Sequence, residues 1–500
     1  MSQIKKLAGQ TAYYGISSIL GRVLNFLLLP LYTGHLERSE YGTVTYLYAS
    51  IAILNIIYTY GLETGYFRFS TKNKNIAAYH YTSSAILVTS ILLSGIMILL
   101  APWLSDTLGN GTRPEYITYL SLIVFIDAVV AIPFAKLRLD GRPLKFAAIR
   151  LTVIAITILL NIIFLVVFPD IMAGKYLVGL QNLVDGLYDP SIGVGYIFIA
   201  NLMANALYLP LLYKEFLQVR LRFNWQAFQP ILAYAFPIFL MGLAGIFNER
   251  GYALIMPNLF PETAEMAGTG ALGTFEGAFK LSVIMMLGIQ AFRYAGEPFF
   301  FAHAEDKEAP GLFARIMHYF VVFNIVIMVG VALNIELIAD IFLRRPQYKE
   351  ALYVLPILLL AKLFYGVYVN LSVWFKVKDQ TRYGTYFAGA GAIVTLLGNV
   401  LLIPYIGFVG AALSALACYL IMCLLCYSKG RKVFRIPYRF KPLLLYLLLA
   451  LIFMYAVPYL KTGSDWVNYG IGLGTSLLFV GFMYWAEGRN FKYKSKEPMV

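Results

Sequence analysis

Long apolar runs alternate with short polar turns along almost the entire chain. A hydrocarbon core of about 30 Å is crossed by roughly 20 helical residues. Fourteen runs reach that scale: 10–31, 41–67, 79–101, 115–135, 146–168 and 192–213, then 228–256, 268–292, 313–335, 351–375, 383–403, 407–427, 443–460 and 466–486. The pattern predicts an all-α polytopic membrane protein with about fourteen transmembrane helices.

A passage of the pattern is repeated. KLRLDGRPLKF at 136–146 leads into Leu-Leu-Asn ending at Asn161, then Pro169, then IGVGYIFIA from Ile192. FKVKDQTRYGTYF at 375–387 leads into Leu-Leu-Gly-Asn ending at Asn399, then Pro404, then IGFVGAALSA from Ile406. Both copies begin at a basic turn, hence on the same side, so the repeat is parallel and its axis lies along the membrane normal. Two six-helix lobes are expected, over 1–222 and 223–432, followed at 433–500 by two further helices and a basic tail.

Composition agrees: 60% of the 500 residues are hydrophobic and 13% charged, which no soluble domain matches. The net charge of +14 would suit nucleic acid, but its placement argues otherwise. Lys5 and Lys6, Arg68, Lys72 and Lys74, Lys136 to Lys145, Lys214 to Arg222, Lys376 to Arg382, Lys429 to Lys441 and the tail Arg489 to Lys496 fall on alternate turns. The intervening turns carry few, among them Arg38, Arg113, Lys175, Arg344, Arg345, Lys349 and Lys461. By the positive-inside rule both termini are cytoplasmic, consistent with an even number of spans. The excess is a topology signal, and no nucleic-acid partner is expected.

Other chemistry is sparse. The first run, behind Lys5 and Lys6, is too long for a signal peptide and lacks a cleavage site. Cys418, Cys423 and Cys426 share one span and read as packing residues. His35, His80, His303 and His318 are scattered, so neither a metal cluster nor a histidine-based nucleophile is indicated, and no cofactor, metal or catalytic group is expected. Trp103, Trp225, Trp374, Trp466 and Trp485 lie near span ends and read as interfacial anchors. Tyr13, Tyr14, Tyr58 and Tyr60 are candidates for lining a cavity. The longest turn, 169–191, spaces Tyr176, Leu180, Leu183 and Leu187 almost helically and predicts a short surface helix.

The candidate chemistry lies in cations at mid-depth: Arg22, Arg250, Lys280 and Lys362. A central Lys or Arg costs about 3 kcal/mol on insertion scales and normally faces a wet cavity or a partner. Arg22 precedes Pro30, and Arg250 precedes Pro257, by nearly the same interval, which puts both near the midplane. Glu63, Asp127, Glu249 and Glu276 are the acidic candidates, as counter-charges or as sites for a coupling ion. One reading is internal ion pairing, Glu276 with Lys280 and Glu63 or Glu249 with an arginine. The other is anion binding, for which the planar guanidinium suits phosphate.

GRVLNFLLLPLYTGHLERSEYG near the start, GIQAFRYAGEPFFF at 288–301 and the repeated units resemble the polysaccharide-unit flippases. These belong to the superfamily of multidrug, oligosaccharidyl-lipid and polysaccharide exporters. The resemblance covers nearly the whole chain and implies a flippase, not an enzyme. It implies transfer of an undecaprenyl-diphosphate-linked oligosaccharide from the cytoplasmic to the periplasmic leaflet of a bacterial inner membrane by alternating access. Arg22, Arg250, Lys280 and Lys362 would then hold the diphosphate. Implied partners are membrane lipids and a coupling ion, Na⁺ or H⁺, with the protein a monomer. Alternatives within the superfamily are a lipid II flippase and a cation-coupled multidrug exporter. Lipid II flippases carry cavity arginines in spans one, two and eight; Arg22 and Lys280 match two by helix and depth, whereas the second span has Asn55 and Glu63 instead.

Overall fold

The structure is a computed structural model describing residues 19–494, apart from 25, 73–76, 110, 262–265, 267, 305 and 307. Lys5, Lys6, Tyr13, Tyr14, Lys74, Lys496 and much of the first run lie outside the described residues. Among the described residues there are helices and turns and no strand. The first lobe contains α1 (Leu29–His35), α2 (Arg38–Thr59), α3 (Leu62–Lys72), α4 (Ala77–Leu99), α5 (Pro114–Leu139), α6 (Pro143–Ile162) and α7 (Gly195–Ala206). The second contains α8 (Trp225–Leu259), α9 (Thr269–Ala302), α10 (Ala309–Leu333), α11 (Leu355–Leu371) and α12 (Arg382–Val433). Two more helices follow, α13 (Phe440–Ala456) and α14 (Asp465–Lys494).

Eleven helical stretches among the described residues are long and apolar enough to cross a membrane. One of them, the 52-residue α12, is broken at Ile406 and Gly407, where Gly407 has φ +52°, and makes two passes. Gly195–Leu211 adds a shorter apolar helix. These make thirteen passes among the described residues, in keeping with an expectation of about fourteen. Helix starts are set locally: proline in the first turn of α5, α6 and α10, where its missing N–H goes unused, and Asn224, whose side chain accepts from the Ala227 N–H at 3.3 Å to cap α8. Left-handed Tyr60 and Gly61, at φ +31° and +76°, separate α2 from α3. The turn at 169–191 holds the short helix Gln181–Asp185, as its spacing predicts.

The basic turns gather at one end of the bundle. There the buried Glu215 carboxylate takes the Lys145 ammonium at 2.7 Å, Tyr79 donates to the Glu215 carbonyl at 2.8 Å, and Glu63 pairs with Arg138. At the opposite end the two lobes are locked together. A Cβ on Gly42 of α2 would lie 1.8 Å from the Thr269 carbonyl oxygen, and one on Gly273 of α9 would lie 1.9 Å from the Arg38 carbonyl oxygen. These are one contact seen twice. Gly273 stands 231 positions after Gly42 and Thr269 stands 231 after Arg38. The repeat thus brings equivalent glycines backbone to backbone about a pseudo-two-fold axis.

Polar groups complete this seal. Thr43 and Thr269 share a hydroxyl hydrogen bond at 3.2 Å, and Thr269 donates to the Ser39 carbonyl at 3.0 Å. Arg38 pairs with Glu350 at 3.1 Å. Arg345 donates to the carbonyls of Gly34 and Leu36, both at 3.2 Å, and Tyr348 to that of Leu36 at 2.8 Å. Only glycine allows the helices to approach this closely. Gly42→Ala is therefore expected to destabilise the sealed form by about 1–3 kcal/mol, the usual penalty for overpacking. Labelling of a cysteine placed at Thr43, which is buried in the seal, by a membrane-impermeant maleimide should rise roughly tenfold or more; unchanged labelling would mean the glycine pair does not hold the seal.

Candidate functional site

Just beneath the seal, α9 carries Glu276 one turn below Gly273. Its carboxylate is 1% exposed and is surrounded by three donors. Arg250 of α8 approaches to 3.2 Å, Lys280 to 3.5 Å one turn further along α9, and the Tyr252 hydroxyl donates at 2.6 Å. A carboxylate so buried requires this pairing. Tyr252 and Phe279 stack near it with ring centres 4.9 Å apart, and the Arg250 guanidinium lies over the Phe279 ring. Lys362 of α11 is 3% exposed and points its ammonium at the same ring, 4.5 Å from the centroid.

The four mid-depth cations are thus close, but they differ in what they can do. Arg250 and Lys280 share the single Glu276 carboxylate as counter-ion. Lys362 is enclosed. Arg22, in the helical segment 19–24, is exposed and forms no ion pair among the described residues. Its charge is near enough to Glu249 and Tyr365 of the second lobe to act on both. Lys362, Arg250 and Lys280 also act on Glu249.

Glu63 and Asp127 lie elsewhere. The expected pairing of Glu63 with a central arginine is corrected: its partner is Arg138, at the basic end, because the second span ends there and places Glu63 beside the turn after α5. Asp127 of α5 accepts from Asn55 of α2 at 3.3 Å and Asn205 of α7 at 2.9 Å, bracing three helices of the first lobe. Asn55, where a cavity arginine was looked for, serves this brace. Tyr58 is 1% exposed and bonded to Ser94 at 3.2 Å inside the first lobe, so it lines no cavity. Trp374 is buried too, its indole donating to the Cys426 carbonyl at 3.2 Å, whereas the other four tryptophans are exposed as interfacial anchors would be.

Two spaces adjoin the charges. The larger, about 450 Å³, lies between Ile56 of α2 and Glu249, Arg293, Tyr365 and Tyr368 of the second lobe and reaches the basic turn at Lys376 and Thr381. The smaller, about 10 Å³ and so hardly larger than one water, lies within the second lobe among Glu249, Lys362, Thr395, Asn399 and Tyr419. Glu249 borders both. Arg293 escaped the sequence reading because the apolar run ends at Phe292, whereas α9 continues for 34 residues to Ala302 and keeps Arg293 inside the helix. Its signal was an arginine within GIQAFRYAGEPFFF followed by residues that still favour a helix. It lines the larger cavity together with Tyr365. No group of three His, Cys, Asp or Glu suited to a metal occurs among the described residues.

A sequence profile of the polysaccharide biosynthesis protein family matches residues 35–293, just over half of the chain. No curated protein matches the sequence. Among solved structures, the lipid II flippase MurJ in an inward closed conformation is similar over 94% of this chain and 98% of its own, with TM-score 0.67 and 14% identity. An inward-facing multidrug resistance MATE family transporter of the MOP superfamily is similar over 82% and 95%, with TM-score 0.64 and 13% identity. A MATE protein in a straight conformation gives 86% and 96%, TM-score 0.58 and 13% identity. At such identities the likeness establishes the fold.

Glu276→Gln would remove the charge that holds Arg250 and Lys280. Breaking a buried ion pair from one side costs about 3–5 kcal/mol, and partial exposure of the two cations places the effect at the lower end. Thermal unfolding of the purified protein should show a Tm several degrees lower; an unchanged Tm would mean that the carboxylate is not the structural centre of this cluster.

Proposed function

The chain belongs to the polysaccharide biosynthesis protein family, and on that premise we propose that it moves an undecaprenyl-diphosphate-linked oligosaccharide from the cytoplasmic to the periplasmic leaflet of a bacterial inner membrane. The observation that carries this reading is the cavity of about 450 Å³, with Arg293 on its wall, and Arg22, exposed and without an ion pair among the described residues. Guanidinium forks suit the two phosphates. Tyr365 and Tyr368 offer hydroxyls and ring faces to the sugars, while the lipid tail remains in the bilayer. A cationic drug would meet these arginines unfavourably.

In this reading the basic end is cytoplasmic, in keeping with the positive-inside rule, both termini lie there, and the glycine seal is periplasmic. The cavity reaches the basic turn and is shut at the far end, so the structure corresponds to a state that loads from the cytoplasm. The lobes 1–222 and 223–432 then rock about the pseudo-two-fold axis. Breaking the seal moves Gly273 and, one turn below it, Glu276. A headgroup entering there would compete with Glu276 for Arg250 and Lys280, which share its lobe, and Glu276 and Glu249 would favour release by holding these cations.

Flipping of a lipid-linked diphosphate saccharide in reconstituted vesicles tests this. Hydrogen bonds to a charged group contribute about 1.5–3 kcal/mol, so Arg22→Ala and Arg293→Ala should each slow transfer roughly ten- to a hundredfold while leaving expression and Tm unchanged. A rate unaffected by both substitutions would remove the diphosphate from this cavity.

A further inference from the structure

The segment that joins the two lobes, 213–225, carries exposed apolar and basic side chains that the transport cavity does not use. Leu217 is 79% exposed and Leu221 73%, and Phe223 and Trp225 are each more than half exposed. Lys214, Arg220 and Arg222 are exposed among them and form no ion pair among the described residues. The one acidic residue of the segment, Glu215, is buried and held by Lys145 at 2.7 Å. The exposed charge is therefore entirely positive.

The neighbouring helices hold this segment at the basic end of the bundle. Glu215 ties its start to α4 and α6 through Tyr79 and Lys145, and the Arg220 N–H donates to the His80 ring of α4 at 3.2 Å. Lys136, at the end of α5, adds to the basic field, since its charge and those of Arg220 and Arg222 all act on His80. Further along, the rings of Phe223, Trp225 and Phe228 cluster with centres 5.2 to 6.3 Å apart. Trp225 opens the membrane-spanning α8, and the exposed Leu209 and Leu211 close the apolar helix before the segment. The segment thus lies at headgroup depth. Between Val219 and Asn224 the chain is not helical, and apolar Val219, Leu221 and Phe223 alternate with Arg220 and Arg222. In an extended chain such alternation puts the apolar residues on one side and the arginines on the other. A lone Trp at a helix start is an ordinary interfacial anchor. An apolar row beside uncompensated cations is the pattern of a segment that lies on an anionic membrane.

We propose that 213–225 is a docking surface for the headgroups of anionic phospholipids, with Leu217, Leu221, Phe223 and Trp225 entering the leaflet and Lys214, Arg220 and Arg222 meeting the phosphates. Long basic side chains reach from apolar depth to headgroup level. A soluble protein partner would leave the four apolar residues in water whenever it was absent, whereas the leaflet beside both flanking spans covers them at all times. The segment is the covalent joint between the lobes, so docking fixes that joint to the membrane surface. The inference does not depend on which headgroup the cavity carries.

The test uses the full-length protein, without substrate, in nanodiscs of phosphatidylcholine with or without phosphatidylglycerol. A nitroxide is placed on Leu221→Cys, the three native cysteines being buried, and its relaxation by oxygen, which dissolves in lipid, is compared with that by a water-soluble nickel chelate. Oxygen should dominate in discs containing phosphatidylglycerol, and removal of that lipid or addition of salt should shift the balance to nickel. Each basic residue near an anionic surface strengthens association about fivefold. Arg220→Gln with Arg222→Gln should therefore lower the ratio of docked to undocked segment roughly ten- to thirtyfold in these discs and change nothing in phosphatidylcholine alone. A second label on Gln218→Cys, which leaves every apolar residue in place, should report the same dependence on lipid and arginine. A label that stays in water in every disc, as it would if the segment awaited a soluble protein, would overturn the proposal. So would equal burial with and without phosphatidylglycerol, or burial indifferent to the arginines. Because no saccharide enters the assay, a protein that moves no lipid-linked sugar would defeat the functional reading and leave this one standing.

Discussion

A carboxylate buried at the closed end of a membrane bundle must be paired, and the pairing of Glu276 with Arg250, Lys280 and Tyr252 organises the rest of the centre. It joins α8 to α9 at the level where the lobes separate. It also divides the central cations into two kinds. Those on Glu276 are held in this conformation; Arg22 is exposed and has no ion pair among the described residues, and Arg293 lines the cavity wall. Glu276 stands one turn from Gly273 on one helix, which puts the charge cluster directly beneath the seal.

The seal itself follows from duplication. Two equivalent helices meeting on a pseudo-two-fold axis present the same residue to each other, so one small residue type at one repeat position suffices for both halves of the contact. Gly42 against Thr269 and Gly273 against Arg38 are that contact and its image. A rotation about the axis can break both together, which fits alternating access between two lobes.

Much of the fold was legible in the chain. Hydrophobic run length fixes the number of passes, since lipid thickness leaves little freedom, and the two Asn-Pro-Gly passages disclosed the parallel repeat. The break in α12 was legible as a boundary at 403–407 because Gly407 can take a positive φ. The site was legible only in part. Arg22, Arg250, Lys280 and Lys362 stand out as charges against an apolar background, but run length cannot say which of them meets Glu276. Arg293 was lost because apolarity ends before the helix does, and Glu63 was misassigned because its partner Arg138 is distant in sequence. The Gly42–Gly273 crossing could not be read from one sequence, where two glycines among 41 carry no mark.

The central claim is that the cavity recognises a diphosphate joined to sugar and lipid. The most direct measurement is binding of an undecaprenyl-diphosphate saccharide to the purified protein, set against the same saccharide on a neutral lipid. Preferential binding of the diphosphate form, weakened by added salt as expected for partly exposed charges, is the predicted result. Equal affinity for the charged and neutral lipids would contradict it.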